Sequence, residues 1–83
     1  MIPRRILFRP AARRAWESLG DDARQRIGHR LALFAGQGVG NVRKLEGRSN
    51  EWRLRIGRWR VIFTVQEPHT LLVLDVDDRT DIY

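Results

Sequence analysis

The run Glu51-Trp52-Arg53-Leu54-Arg55-Ile56-Gly57-Arg58-Trp59-Arg60-Val61-Ile62-Phe63 decides the fold of this chain. Apolar and basic residues alternate through it with period two, the pattern of a strand with one face buried and the other in water. Gly57-Arg58 interrupts the alternation with a two-residue turn headed by Gly, which suits the twist of paired strands and folds the run into a hairpin. The turn sets the register at 56 opposite 59, 54 opposite 61 and 52 opposite 63. Trp52, Leu54, Ile56, Trp59, Val61 and Phe63 then share a buried face. The same register puts Arg55 directly across from Arg60 on the other face, with Arg53 diagonal to Arg60. Like charges facing each other across strands are destabilising.

Upstream of the hairpin the period is that of helices. Residues 4–8 read as a short strand closed by Pro10, a residue that suits the first turn of a helix because its missing N–H has no partner there anyway. Ala12, Ala15, Trp16 and Leu19 follow at i, i+3, i+4 and i+7, and Gly20 offers a helix stop. Asp21 or Asp22 is placed to cap a second helix with the stripe Ala23, Ile27, Leu31 and Phe34. Gly36-Gln37-Gly38-Val39-Gly40-Asn41 reads as a flexible connector. Downstream, a turn around Gln66-Glu67-Pro68-His69 leads to Leu71-Leu72-Val73-Leu74-Asp75-Val76, apolar enough for a central strand. A four-residue loop would set Asp75 beside Arg60. The expectation is one α+β domain over residues 1–83: an N-terminal strand, a helical hairpin, then an antiparallel three-strand meander with both helices packed on one sheet face.

Composition narrows the functional classes. The 83 residues leave no room for a separate cofactor domain, and with no Cys there is neither a disulfide framework nor thiolate chemistry. The formal charge is +6, yet 42% of residues are hydrophobic, which separates the chain from disordered basic tails. The charge is polarised. Residues 1–34 carry eight Arg against three acids and residues 43–60 seven basic against two acidic groups, whereas residues 61–83 carry one Arg against five acids. The N-terminus begins like a signal peptide, but Arg9 and Pro10 cut its apolar stretch after three residues, and nothing later approaches the roughly 18 apolar residues of a membrane span. These features describe a cytoplasmic protein with a polyanionic or acidic partner.

The strongest chemical feature is the cluster of Arg53, Arg55, Arg58 and Arg60, with Arg43, Lys44 and Arg48 just upstream. Guanidinium forks match phosphate geometry, so the cluster reads as a phosphate-backbone cradle. The competing view is a solvated face whose arginines pair with acids of the last strand. Cleavage of RNA needs a base for the 2′-OH, positive charge for the transition state and an acid for the leaving 5′-oxygen. Arg serves the second role well and the others poorly, since it stays protonated above pH 12. Tyr83, Lys44 and the carboxylates Asp75, Asp77, Asp78 and Asp81 are the other candidates, while His29 mid-helix and His69 in a turn read as surface residues. The acidic run lacks the Gly and distal Glu of a calcium loop and carries Arg79 in its middle, so no metal site is expected. Gly36, Gly38 and Gly40 follow a helix and precede none, which argues against a dinucleotide site. Trp16, Trp52 and Trp59 are assigned to the core.

Arg43-Lys44-Leu45-Glu46-Gly47, the Trp52 to Phe63 run, and the closing Asp78-Arg79-Thr80-Asp81-Ile82-Tyr83 together resemble the RelE/ParE toxin superfamily of toxin–antitoxin modules, as does the helix entry Pro10-Ala11-Ala12-Arg13-Arg14-Ala15-Trp16. The resemblance implies a compact microbial toxin. By RelE-like example it is a ribosome-dependent, metal-independent mRNA endonuclease without cofactor, silenced by a cognate antitoxin and touching operator DNA only through that partner. The family's catalytic positions fall on Arg53, Arg55, Arg60, Arg79 and Tyr83, with Lys44, Arg48 and Arg58 available to bind RNA. Two departures stand out: Arg occupies a strand position often held by Lys, and the frequent Gly-His-Arg before the terminal Tyr is Asp77-Asp78-Arg79. A ParE-like gyrase poison without catalysis, and a weakened relative that only binds antitoxin or nucleic acid, are the alternatives.

Overall fold

A computed structural model describes residues 4–47, 49–66 and 69–78. Strand β1 (Arg5–Phe8) leads into helices α1 (Pro10–Glu17) and α2 (Asp21–Gln37), followed by strands β2 (Asn41–Lys44), β3 (Trp52–Ile56), β4 (Trp59–Gln66) and β5 (Thr70–Asp78). They form one five-stranded sheet in the order β1-β5-β4-β3-β2. β1 runs parallel to β5 and all other pairs are antiparallel. The expected α+β architecture holds, with one strand more than the sequence pattern disclosed.

The hairpin register is as expected: Ile56 faces Trp59, Leu54 faces Val61, Trp52 faces Phe63, and Arg55 faces Arg60. Ala12 of α1 and Ile27, Leu31 and Phe34 of α2 join Leu54, Ile56, Val61, Phe63, Leu71, Val73 and Val76 in one core. The rings of Phe34 and Phe63 meet at 5.3 Å, an aromatic contact that locks α2 to β4. Trp16, Trp52 and Trp59 are half-buried and pack against the edge of this core. They are core residues, though not enclosed ones.

Local chemistry moved three boundaries. Gly20 does not stop α1, which ends at Glu17 with Ser18 as its cap; Gly20 instead takes an extended conformation as the N-cap of α2. Asp21 and Asp22 consequently lie in the first turn of α2, where their charge suits the helix dipole, and they bind Arg24 and Arg26. The connector expected over residues 36–41 is mostly structured. α2 continues through Gln37, Gly38 ends it with φ +73, and β2 begins at Asn41. Gly40 fits there because a Cβ would stand 2.8 Å from Leu54 Cδ1. All four β2 residues are exposed, so this edge strand shows no apolar alternation.

The main correction concerns β5. Gln66 pairs with Thr70, Phe63 with Val73, and then a β-bulge shifts the register so that Ile62 pairs with Asp75 and Arg60 with Asp77. Arg60 therefore faces Asp77, and not Asp75. Simple alternation from Leu71 and Val73 would turn Asp75 and Asp77 into the core. The extra residue, Leu74, flips the strand so that Val76 is buried and both acids reach the other face. Arg9 stabilises this irregularity, its N–H donating to Val73 O and its guanidinium to Leu74 O, each at 2.9 Å.

Candidate functional site

The sheet face turned away from the helices carries Arg43, Arg53, Arg55, Arg60, Ile62, Asp75 and Asp77, as the strand pairings require. Arg43 lies opposite Arg53 and Arg55 opposite Arg60, so two like-charge pairs stand side by side. Arg60 is at their centre. It is only 27% exposed, and its guanidinium donates to Asp77 at 3.4 Å, a long contact that holds the group without neutralising it fully. The Nε of Arg60 is buried with no hydrogen-bond partner among the described residues.

Two hollows flank Arg60 and Ile62. One, of about 500 Å³, is lined by Arg9, Glu51, Arg60, Ile62, Leu74 and Asp75 together with Ser49. The other, of about 230 Å³, is bordered by Leu45 and Glu46. The loop between β2 and β3 forms these walls. It is closed by Leu45 N–H donating to Glu51 O at 3.0 Å and tied to β4 by Asn50 Nδ2 donating to Val65 O at 3.1 Å.

Arg53, Arg55 and Arg60 thus come together, and two proposed phosphate binders do not join them. Lys44 pairs opposite Trp52 on the helix side of the sheet, and its ammonium lies 5.7 Å from the Trp52 ring centre. Arg58, in the hairpin turn, is held by Asp78 at 2.6 Å and covers the Trp59 ring at 5.6 Å. Neighbours in sequence are thus separated in space, because alternation sends successive strand residues to opposite faces. Arg48, Arg79, Asp81 and Tyr83 lie outside the described residues. His29 borders a separate hollow between α2 and the end of β3, and His69 sits in the β4–β5 turn, so neither faces Arg60. Among the described residues no group of His, Cys, Asp and Glu is arranged to hold a metal.

Arg9, Glu51 and Ile62 were missed. Ile62 left a trace in the sequence: Val61-Ile62-Phe63 is apolar at three successive positions, which breaks the alternation of a strand with one polar face. Arg9 left none, since its role depends on the bulge.

Comparison with known proteins agrees with the fold. Residues 6–83 match the family model described as the ParE toxin of type II toxin-antitoxin systems, parDE. The chain belongs to this family, within the RelE/ParE toxin superfamily, and is a toxin of a type II toxin–antitoxin system. Among solved structures, RelE in the archaeal RelE-RelB complex from Pyrococcus horikoshii OT3 superimposes with a TM-score of 0.78 at 23% identity, covering 96% of this chain and 99% of that one. The RelBE2 toxin-antitoxin complex from Mycobacterium tuberculosis gives 0.68 at 27% identity, over 98% and 97% of the two chains. The isolated RelE toxin of E. coli gives 0.74 at 18% identity, over 96% and 90%. No curated protein sequence matches. No described helix is long and apolar enough to cross a membrane.

Proposed function

We propose that this toxin is an mRNA endonuclease that acts on messages held by the ribosome, with Arg60 gripping the scissile phosphate and Arg53 and Arg55 extending the cradle. The observation that carries this reading is the facing pair Arg55 and Arg60 beside an open hollow on the sheet face that the helices leave uncovered. Guanidiniums that face each other across two strands suit an anion placed between them, since their forks match phosphate geometry. In the reaction the 2′-oxygen attacks phosphorus, the bond to the 5′-oxygen breaks, and the phosphorus ends as a 2′,3′-cyclic phosphate. Arginines contribute by stabilising the extra negative charge of the five-coordinate transition state, a task that needs no change in their protonation. The resemblance assigns charge stabilisation to Arg79 and the orienting or protonating role at the leaving 5′-oxygen to Tyr83.

A cognate antitoxin is the expected partner, as in the RelE-RelB complexes, and contact with operator DNA runs through it. Purified toxin added to translating ribosomes with a defined message should cut within the decoding site. Arg60→Ala should slow the cut at least about 100-fold, the usual effect of removing one transition-state donor. Intact message at stoichiometric toxin would remove the reading.

A second reading, a gyrase poison without chemistry of its own, is favoured by the match to the ParE family model. It predicts accumulation of cleaved gyrase–DNA complexes, undiminished by Tyr83→Phe. Normal growth on expression without antitoxin would exclude both activities and leave a binding module.

A further inference from the structure

Two consecutive carboxylates at the end of β5 each hold an arginine, one from β4 and one from the turn before it, and they hold them differently. Asp78 accepts two N–H bonds from Arg58, at 2.6 and 3.1 Å, so that pair is firmly closed. Asp77 accepts one N–H bond from Arg60 at 3.4 Å, close to the limit for such a bond. It is the only hydrogen bond that the Arg60 side chain makes among the described residues. The pair is also partly open to solvent, the two side chains being 27% and 41% exposed. Arg60 borders both hollows of the open face, which gives solutes access to it.

Resting on the reading of Arg60 as the group that grips phosphate, we infer that Asp77 is an internal stand-in for that phosphate. Its carboxylate occupies Arg60 in the free protein, and an incoming phosphodiester takes its place. The chemistry of the exchange favours the newcomer. Carboxylate and phosphate both accept from guanidinium, but Asp77 is bound through one long contact, whereas a phosphate free to orient itself makes two short parallel ones. The bulge between Ile62 and Phe63 makes the arrangement possible, because it turns Asp77 to the open face directly across from Arg60.

Displaced, the Asp77 carboxylate stays on the same sheet face, so its negative charge lies close to the bound phosphate and opposes it. Asp77 therefore sets the affinity of the site below the value that Arg53, Arg55 and Arg60 alone would give. A counter-ion needed only to orient Arg60 gives the opposite sign, since its removal would weaken phosphate binding. The two roles are thus separated by the direction of one measured change.

The test is a fluorescence-anisotropy titration of the full chain with a short labelled oligouridylate at low ionic strength, where charge effects are least screened. Asp77→Asn, an isosteric change at a partly exposed position, should bind at least about threefold more tightly than the unaltered chain. That is the effect of removing one unit charge about 6 Å from another at the screening of water. Glu17→Gln is the control for overall charge. Glu17 pairs with Arg13 at 3.3 Å on α1, on the helix side of the sheet, so this change also removes one negative charge and releases an arginine. It should alter affinity by less than about 1.5-fold. In the Arg60→Ala background the gain from Asp77→Asn should disappear. An unchanged or lowered affinity for Asp77→Asn overturns the inference, as does a gain that Glu17→Gln reproduces or that survives the loss of Arg60. Binding that depends on Arg60 but ignores Asp77 removes the inference alone, whereas binding indifferent to Arg60→Ala removes the reading of Arg60 as well. No ribosome enters this measurement, so its outcome stands whether or not the chain cuts message.

Discussion

The two faces of the sheet obey different rules, although the same strands build both. On the helix side, Leu54, Val61, Phe63, Leu71 and Val73 are at most 1% exposed and pack in one apolar cluster, so burial explains why they stand there. On the open side, Arg53, Arg55 and Arg60 stand on neighbouring strands with Asp77 opposite Arg60, so charge and not burial is the main feature there. Ile62 and Phe63, adjacent on β4, belong to opposite regimes.

The sharpest way to break this division is to delete Leu74. Without the bulge residue, Asp75 and Asp77 would turn to the helix side, or Val76 would be expelled. Burying two unpaired carboxylates costs several kcal/mol each, comparable with the whole stability of a domain this small, so circular dichroism should show no cooperative unfolding transition. Phe63→Ala tests the helix side alone. It should cost about 3–5 kcal/mol in denaturant unfolding, because the ring fills the space against Phe34. Arg60→Ala, three positions away, should change stability by less than about 1 kcal/mol while abolishing toxicity in a growth assay; a stability loss as large as that of Phe63→Ala would show that the open face is also structural. The smallest effect is expected from Arg55→Gln. Removing one charge of the facing pair should raise stability by a few tenths of a kcal/mol, readable as a small rise in the denaturant midpoint, and a fall would mean that the pair is not repulsive in the free protein.

How far the site was legible depended on how local its causes were. The Arg55–Arg60 pairing followed from a two-residue turn whose length leaves one register, and it was readable without a structure. The Arg60–Asp77 pairing was not. It depends on a turn one residue shorter than assumed and a bulge one residue long, errors that move the partner by two positions while keeping it on the same face. The side on which Lys44 stands was not legible either, because an exposed edge strand such as β2 carries little apolar pattern to recognise.

The amino-acid sequence by itself determined the element types other than β2, the helical stripe, the hairpin register and the concentration of arginine on one strand face. All of these rest on periodicity and turn chemistry acting over a few residues. Only the tertiary structure decided which carboxylate meets Arg60, which basic residues stand apart from Arg53, Arg55 and Arg60, and that a hollow bordered by Glu51 and Asp75 adjoins Arg60. Those features depend on an irregularity in β5, on Arg9 reaching the bulge from the start of α1, and on a loop folding back over β4. Contacts between segments distant in sequence leave no periodic trace, since no local spacing encodes where a strand will slip by one residue.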